Sequence, residues 1–87
     1  MPKVVPTNRF KKLYGKLPAN IQSKTKRQIA LLREGEKNYP SLQAKKMVNQ
    51  PDIWEARIDY HYRMTFKIED NRIILRAVGT HKIYQKP

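Results

Sequence analysis

Between Trp54 and Glu69 the chain reads WEARIDYHYRMTFKIE, and Arg57, His61, Arg63 and Lys67 bring cationic or titratable groups into a run whose apolar residues alternate as in strands. A guanidinium is a permanent charge with a planar fork that matches phosphate or carboxylate oxygens in pairs. An imidazole titrates near neutral pH and passes a proton in either direction. Two arginines and a histidine in one short stretch therefore suit the handling of an anion, with proton transfer as a second capability. Each has a plainer alternative: Arg57 or Arg63 paired across strands with Asp59 or Glu55, and His61 an exposed turn residue.

The whole chain points toward an anionic partner. Nineteen Lys and Arg against seven Asp and Glu give a formal charge of +12 over 87 residues, far beyond what solubility requires, and nucleic acid is the first candidate. Residues 1–50 hold twelve of the basic residues and two acids, Glu34 and Glu36, so the surplus sits in the first half. A solvated helix face accounts for one or two lysines. It does not account easily for a surplus of ten, because self-repulsion opposes compaction.

Composition also excludes. With no cysteine there is no disulfide framework and no thiolate chemistry, and two histidines alone make no zinc pattern, so neither metal nor cofactor is expected. No apolar run approaches the roughly 20 residues of a membrane span, and MPKVVPTNRF lacks a signal peptide's apolar stretch, which makes the cytoplasm the expected compartment. A chain this short is expected to form one domain, 1–87, with one core and one shallow functional face.

The elements that must position the cations follow from spacing. Val4 and Val5 make a short strand at most, because Pro6 cannot donate to a ladder. Thr7 or Asn8 caps a helix with Phe10, Leu13, Tyr14 and Leu17 on one stripe. Pro18 opens a second helix to about Glu34, with Ile21, Thr25, Ile29 and Leu32 inward, Lys24, Lys26, Arg27 and Arg33 outward, and Gly35 as its stop. A proline-containing connector follows, read with a turn of helix near Leu42–Val48. Three strands come next, the last being RIILRAV after a turn at Glu69–Asn71, and a final short strand is expected at Lys82–Tyr84.

Helices first and a meander second predict an α+β fold, a helical hairpin on one face of a small antiparallel sheet. Side chains alternate across a strand, so burying Trp54, Ala56, Ile58, Met64, Phe66 and Ile68 sends Arg57, His61, Arg63 and Lys67 to the open face.

PSLQAKKM followed by WEARIDYHYRMTFKIEDNRIILRAVGTHKIY resembles the RelE/ParE superfamily of toxins from toxin–antitoxin modules. The likeness rests on an Arg-bearing strand, a YR strand, a hydrophobic strand and a terminal VG-x-H-x-x-Y, and with the helix pair it covers nearly the whole chain. It implies a small basic toxin neutralised by an antitoxin with an acidic or amphipathic segment. In the RelE-like branch, the one favoured here, the toxin enters the ribosome and cleaves mRNA; in the ParE-like branch it poisons DNA gyrase and cuts nothing. A plain RNA-binding domain is a third possibility.

Metal-free RNA cleavage needs a base for the 2′-OH proton, cations to stabilise the phosphorane and an acid for the departing 5′-oxygen. The resemblance puts Arg63, in the YR position, at the phosphate, and the even spacing of Arg57 from it puts a second cation on the same face. The resemblance also puts His81 where related nucleases carry a His or Arg, and Tyr84 where an aromatic lies beside the cleaved nucleotide. The expected catalytic set is thus Arg63, Arg57, His81, Tyr84 and His61, with Lys24, Lys26, Arg27 and Lys67 binding RNA. The lysine-rich pattern that some RelE members carry before the YR strand is replaced here by Glu55 and Arg57. The general base stays open between His61, Glu55 and His81.

Overall fold

The computed structural model describes residues 2–34, 42–48 and 50–87, with Pro51 described by its backbone alone. Gly35, read as the stop of the second helix, lies outside the described residues. The chain opens with strand β1 (Lys3–Pro6), whose proline ends an edge strand where a missing N–H costs little. Thr7 then caps helix α1 (Asn8–Gly15): its Oγ1 accepts from the Phe10 N–H at 3.2 Å and donates to the Leu75 carbonyl at 2.8 Å. Helix α2 (Ala19–Arg33) starts after Pro18 and buries Ile21, Thr25, Gln28 and Leu32, while Lys24, Lys26, Arg27 and Arg33 are exposed. Ile29 is partly buried against the core.

Strands β2 (Lys45–Met47), β3 (Gln50–Arg57), β4 (Arg63–Glu69) and β5 (Arg72–Gly79) complete a five-stranded sheet in the order β1-β5-β4-β3-β2. The sheet is mixed rather than antiparallel throughout, because β1 lies parallel to β5, Lys3 opposite Arg72 through Pro6 opposite Leu75. A parallel pair needs a long crossover, and nearly the entire chain separates these two strands. Asp70 and Asn71, at φ 51° and 60°, make the tight turn between β4 and β5.

Three expectations are corrected. The turn of helix near Leu42–Val48 is instead β2, held by pairing with β3, Lys45 opposite Glu55 and Lys46 opposite Trp54. Three residues are too few to display a period. The strand at Lys82–Tyr84 is instead a 3-10 helix, His81–Gln85, whose Ile83 packs back on the sheet. A Cβ at Gly79 would lie 3.0 Å from the Ile83 Cγ2, so a residue without one lets this helix approach β5. Ile68, expected in the core, sits beside the hairpin turn and is 43% exposed.

Both helices cover one face of the sheet. Phe10, Ile21, Leu32, Leu42, Ala56, Ile58, Met64, Phe66, Ile73, Leu75 and Val78 form the core, with Trp54 stacked on Phe66 at 6.2 Å between ring centroids. The β4–β5 register shifts between Thr65 and Phe66, which face Ala77 and Leu75, so Arg76 is the extra residue of a bulge. The shift puts both Leu75 and Val78 in the core. On the other face the carbonyl of Pro87 accepts from Thr65 Oγ1 at 3.3 Å and Arg76 Nε at 3.1 Å, so the C-terminal segment covers one end of it. Among the described residues no helix is long and apolar enough to cross a membrane.

Candidate functional site

Arg57 and Arg63 are the last and first residues of β3 and β4, and they stand directly opposite each other in the ladder. Like charges opposed across an antiparallel pair work against the sheet. The turn between them offsets this for Arg63, whose Nη1 donates to the carbonyls of Asp59, Tyr60 and Tyr62. Those three acceptors fix one edge of the guanidinium. No carboxylate is among them, so the expected alternative of an Arg63 pair with Asp59 or Glu55 does not describe its bonding.

The Asp59 carboxylate serves the turn instead. It accepts from Lys24 Nζ at 2.6 Å and from the Tyr60 N–H, tying the turn to α2. The hydrogen bond from Lys24 leads, and with the Tyr60 N–H and the charges of Lys24 and His61 it holds the Asp59 carboxyl below its ordinary 3.8, against a smaller opposing effect of burial. A lowered folded-state pKa contributes stability above 3.8 that is lost as pH falls through the lowered value. Asp59→Asn should therefore melt below the parent at neutral pH, and the gap should close in acid; thermal melts of both proteins across pH read this directly.

Arg63 shares a cleft of about 220 Å³ with Glu55, Tyr84, Lys45 and Gln43. Tyr84 Oη donates to Glu55 Oε1 at 3.5 Å, and Lys45 Nζ lies 3.6 Å from the same oxygen. One guanidinium, one carboxylate, one phenol and one ammonium thus converge from β4, β3, the 3-10 helix and β2. Burial raises the Tyr84 pKa above its ordinary 10.0; the Glu55 charge and hydrogen bond add to the rise, and the Arg63 charge opposes it. The phenol keeps its proton at neutral pH. Stability from this group is present below 10.0 and lost as pH rises through the raised value. Absorbance titration should assign the tyrosinate lost in Tyr84→Phe to the late part of the alkaline transition.

The other expected site residues are dispersed. Arg57 lines a neighbouring cleft with Lys24, Arg27, Gln28 and Gln43. His61 lies in the turn, its ring edge-on to Tyr60 at 4.7 Å. His81 is exposed at the start of the 3-10 helix; side chains three apart eclipse in such a helix, so it shares a side with Tyr84. Neither histidine lines the Arg63 cleft. Lys67 pairs with Glu69 at 3.1 Å, and Lys26 borders an apolar groove beside Tyr14 and Ile29. Lys45 and Gln43 were missed because their segment read as helix. The signal that could have found Lys45 is the acid it faces, since a lone Glu55 among cations needs a partner.

A family model described as a ParE-like toxin domain matches residues 19–86. Among solved structures, a copper-bound mutant toxin from Helicobacter pylori aligns with a TM-score of 0.81 at 25% identity, covering 94% of this chain and 97% of that one. A chain of the RelB–RelE antitoxin–toxin complex from Methanococcus jannaschii gives 0.77 at 22% identity, covering 95% and 99%. YafQ from Escherichia coli gives 0.81 at 14% identity, covering 97% and 98%. At 22% and 14% the likeness is one of fold. A search of curated protein sequences finds no match.

Proposed function

We propose that this chain, which belongs to the ParE-like toxin domain family, is the toxin of a toxin–antitoxin pair and acts as a ribosome-dependent endoribonuclease on mRNA. The observation that carries the reading is the convergence of Arg63, Glu55, Tyr84 and Lys45 on one open cleft. The Arg63 guanidinium, anchored on one edge by the turn, presents its remaining N–H groups to a phosphate. Charge that builds on the nonbridging oxygens as the 2′-oxygen attacks meets a fork already in position.

Glu55 takes the 2′-OH proton. Tyr84 gives its own proton to the departing 5′-oxygen and recovers one from Glu55 along their hydrogen bond. The bond from phosphorus to the 5′-oxygen breaks as that from phosphorus to the 2′-oxygen forms, leaving a 2′,3′-cyclic phosphate and a 5′-hydroxyl. Lys45 adds positive charge beside Glu55. His81, on the Tyr84 side of the 3-10 helix, is the alternative proton carrier. His81→Gln should slow cleavage strongly if it fills that role and leave the rate unchanged if Glu55 and Tyr84 suffice.

A structural neighbour assembled as a RelB–RelE complex supports an antitoxin partner here, one with an acidic or amphipathic segment suited to a chain of charge +12. The exposed cations Lys24 and Arg27 supply ribosomal contacts. Replacing both with Glu should weaken ribosome binding and flatten its salt dependence by about one counterion's worth of slope, since Lys24 is already paired with Asp59; binding measured at several salt concentrations reads it.

The test of function is expression of the chain alone, with breaks mapped on cellular mRNA and on DNA. Breaks confined to translated mRNA are expected, with relief when the antitoxin is co-expressed. The second reading, a gyrase poison, is favoured by the name of the matching family and predicts gyrase-linked DNA breaks with intact mRNA.

A further inference from the structure

The largest cavity described, about 550 Å³, is not the one at Arg63. It lies between α2 and the end of β3, lined by Lys24, Arg27 and Arg57, the amides of Gln28 and Gln43, and an apolar floor of Leu31 and Ile58. That volume is in the range of small-ligand sites, about 300–1,000 Å³. None of its lining residues is acidic. Asp59 answers Lys24 from outside it, so Arg27 and Arg57 carry the cavity's positive character.

This cleft borders the first at one residue. Gln43 lines both, its backbone in the left-handed region at φ 46°, where few non-glycine residues settle. Arg57 and Arg63 are opposed in the ladder yet line different clefts, with Gln43 shared between the two. Two guanidiniums set on neighbouring strands against electrostatic preference, each facing its own cavity with a carboxamide between, match a chain of repeating phosphates and bases. A carboxylate would use the cations and leave the apolar floor and the amide unexplained.

We propose that the α2–β3 cleft is a second subsite, holding the nucleotide next to the one at Arg63 on the same single strand of RNA. Arg27 and Arg57 take its phosphate, Leu31 and Ile58 underlie its base, and Gln43 reads a base edge. The proposal rests on the ribonuclease reading for the identity of the strand, and it is tested without cleavage.

The probe is a trinucleotide RNA with 2′-O-methyl sugars, which cannot be cut, titrated into the isolated protein at low salt and followed by backbone amide shifts. Amides of Leu31 and Gln43 should move together with those around Arg63. Arg27→Gln should weaken the trinucleotide about tenfold, the loss of one charge-assisted contact, and Gln43→Ala should reduce discrimination among trinucleotides of different base at one position. Each variant is checked by thermal melting. Parent-like affinity in folded Arg27→Gln, or shifts confined to the Arg63 cleft, overturns the subsite. So does an acidic hexapeptide that moves Leu31 and Gln43 more tightly than the trinucleotide, which assigns the cleft to a protein segment. A protein that binds the trinucleotide in both clefts yet leaves mRNA intact keeps the subsite and loses the nuclease.

Discussion

Arg63→Ala should lower single-turnover cleavage of programmed mRNA by about 10²- to 10³-fold while ribosome affinity changes little, because the interaction removed is made chiefly in the transition state. An exposed salt bridge is worth about 1 kcal/mol or less, so an effect of that size cannot come from losing a surface pair. The bonding of Arg63 sharpens the expectation: Nη1 is spent on three turn carbonyls, and what faces the cleft is the rest of a fork held in one orientation. Lysine keeps the charge and loses both the anchor and the fork, so Arg63→Lys should recover only part of the rate. The assay is cleavage on purified ribosomes, with folding checked by melting. A folded Arg63→Ala that cuts like the parent makes the cationic strand face a docking surface and removes the nuclease reading.

The turn gives this expectation a second handle. Asp59 does not touch the cleft, yet it fixes the loop whose carbonyls hold Arg63. Asp59→Asn should reduce the cleavage rate less than Arg63→Ala does, by slackening a support and leaving the reacting group in place. That ordering separates a positioning contribution from a direct one.

Much of this geometry was legible in the residues. Period 2 in the strands gave Arg57 and Arg63 a shared face, of which Arg63 joins the cleft with Tyr84 while Arg57 lines one beside α2, and the chain order of helices before meander predicted the packing of both helices on one face. The failures share a cause. β2 is three residues long, β1 pairs with a strand about 70 positions away, and the C-terminal segment is shaped by one buried isoleucine and a glycine. Each is decided by contact with another element, three to ten positions away for β2 and about 70 for β1, and local pattern carries no trace of it. For the same reason Arg57 and Arg63, a pair by spacing, enter separate clefts: Gln43 lines both, and its segment reads as a turn of helix. The histidines, chosen for their chemistry, show how little residue type alone says about placement.

Site and core meet on one strand. Phe66 is 0% exposed and stacks on Trp54 under the helices, on the strand whose first residue is Arg63 and at the point where the β4–β5 register shifts. Phe66→Ala removes a fully buried ring and leaves a cavity that the bulged ladder cannot easily close, at a cost of about 3–5 kcal/mol. In a domain of this size that lowers the melting temperature by upwards of about 12 °C, since each kcal/mol shifts it about 4–8 °C. Ile68→Ala, two residues along on the same face, should cost under about 1.5 kcal/mol because that side chain is already 43% exposed. The two variants differ in position by one pleat, so the contrast reports burial and not strand propensity. Thermal melting measures both. Equal losses would mean that Ile68 is covered in solution or that β4 slides in register, and in the second case Arg63 would not stand where the turn carbonyls can hold it.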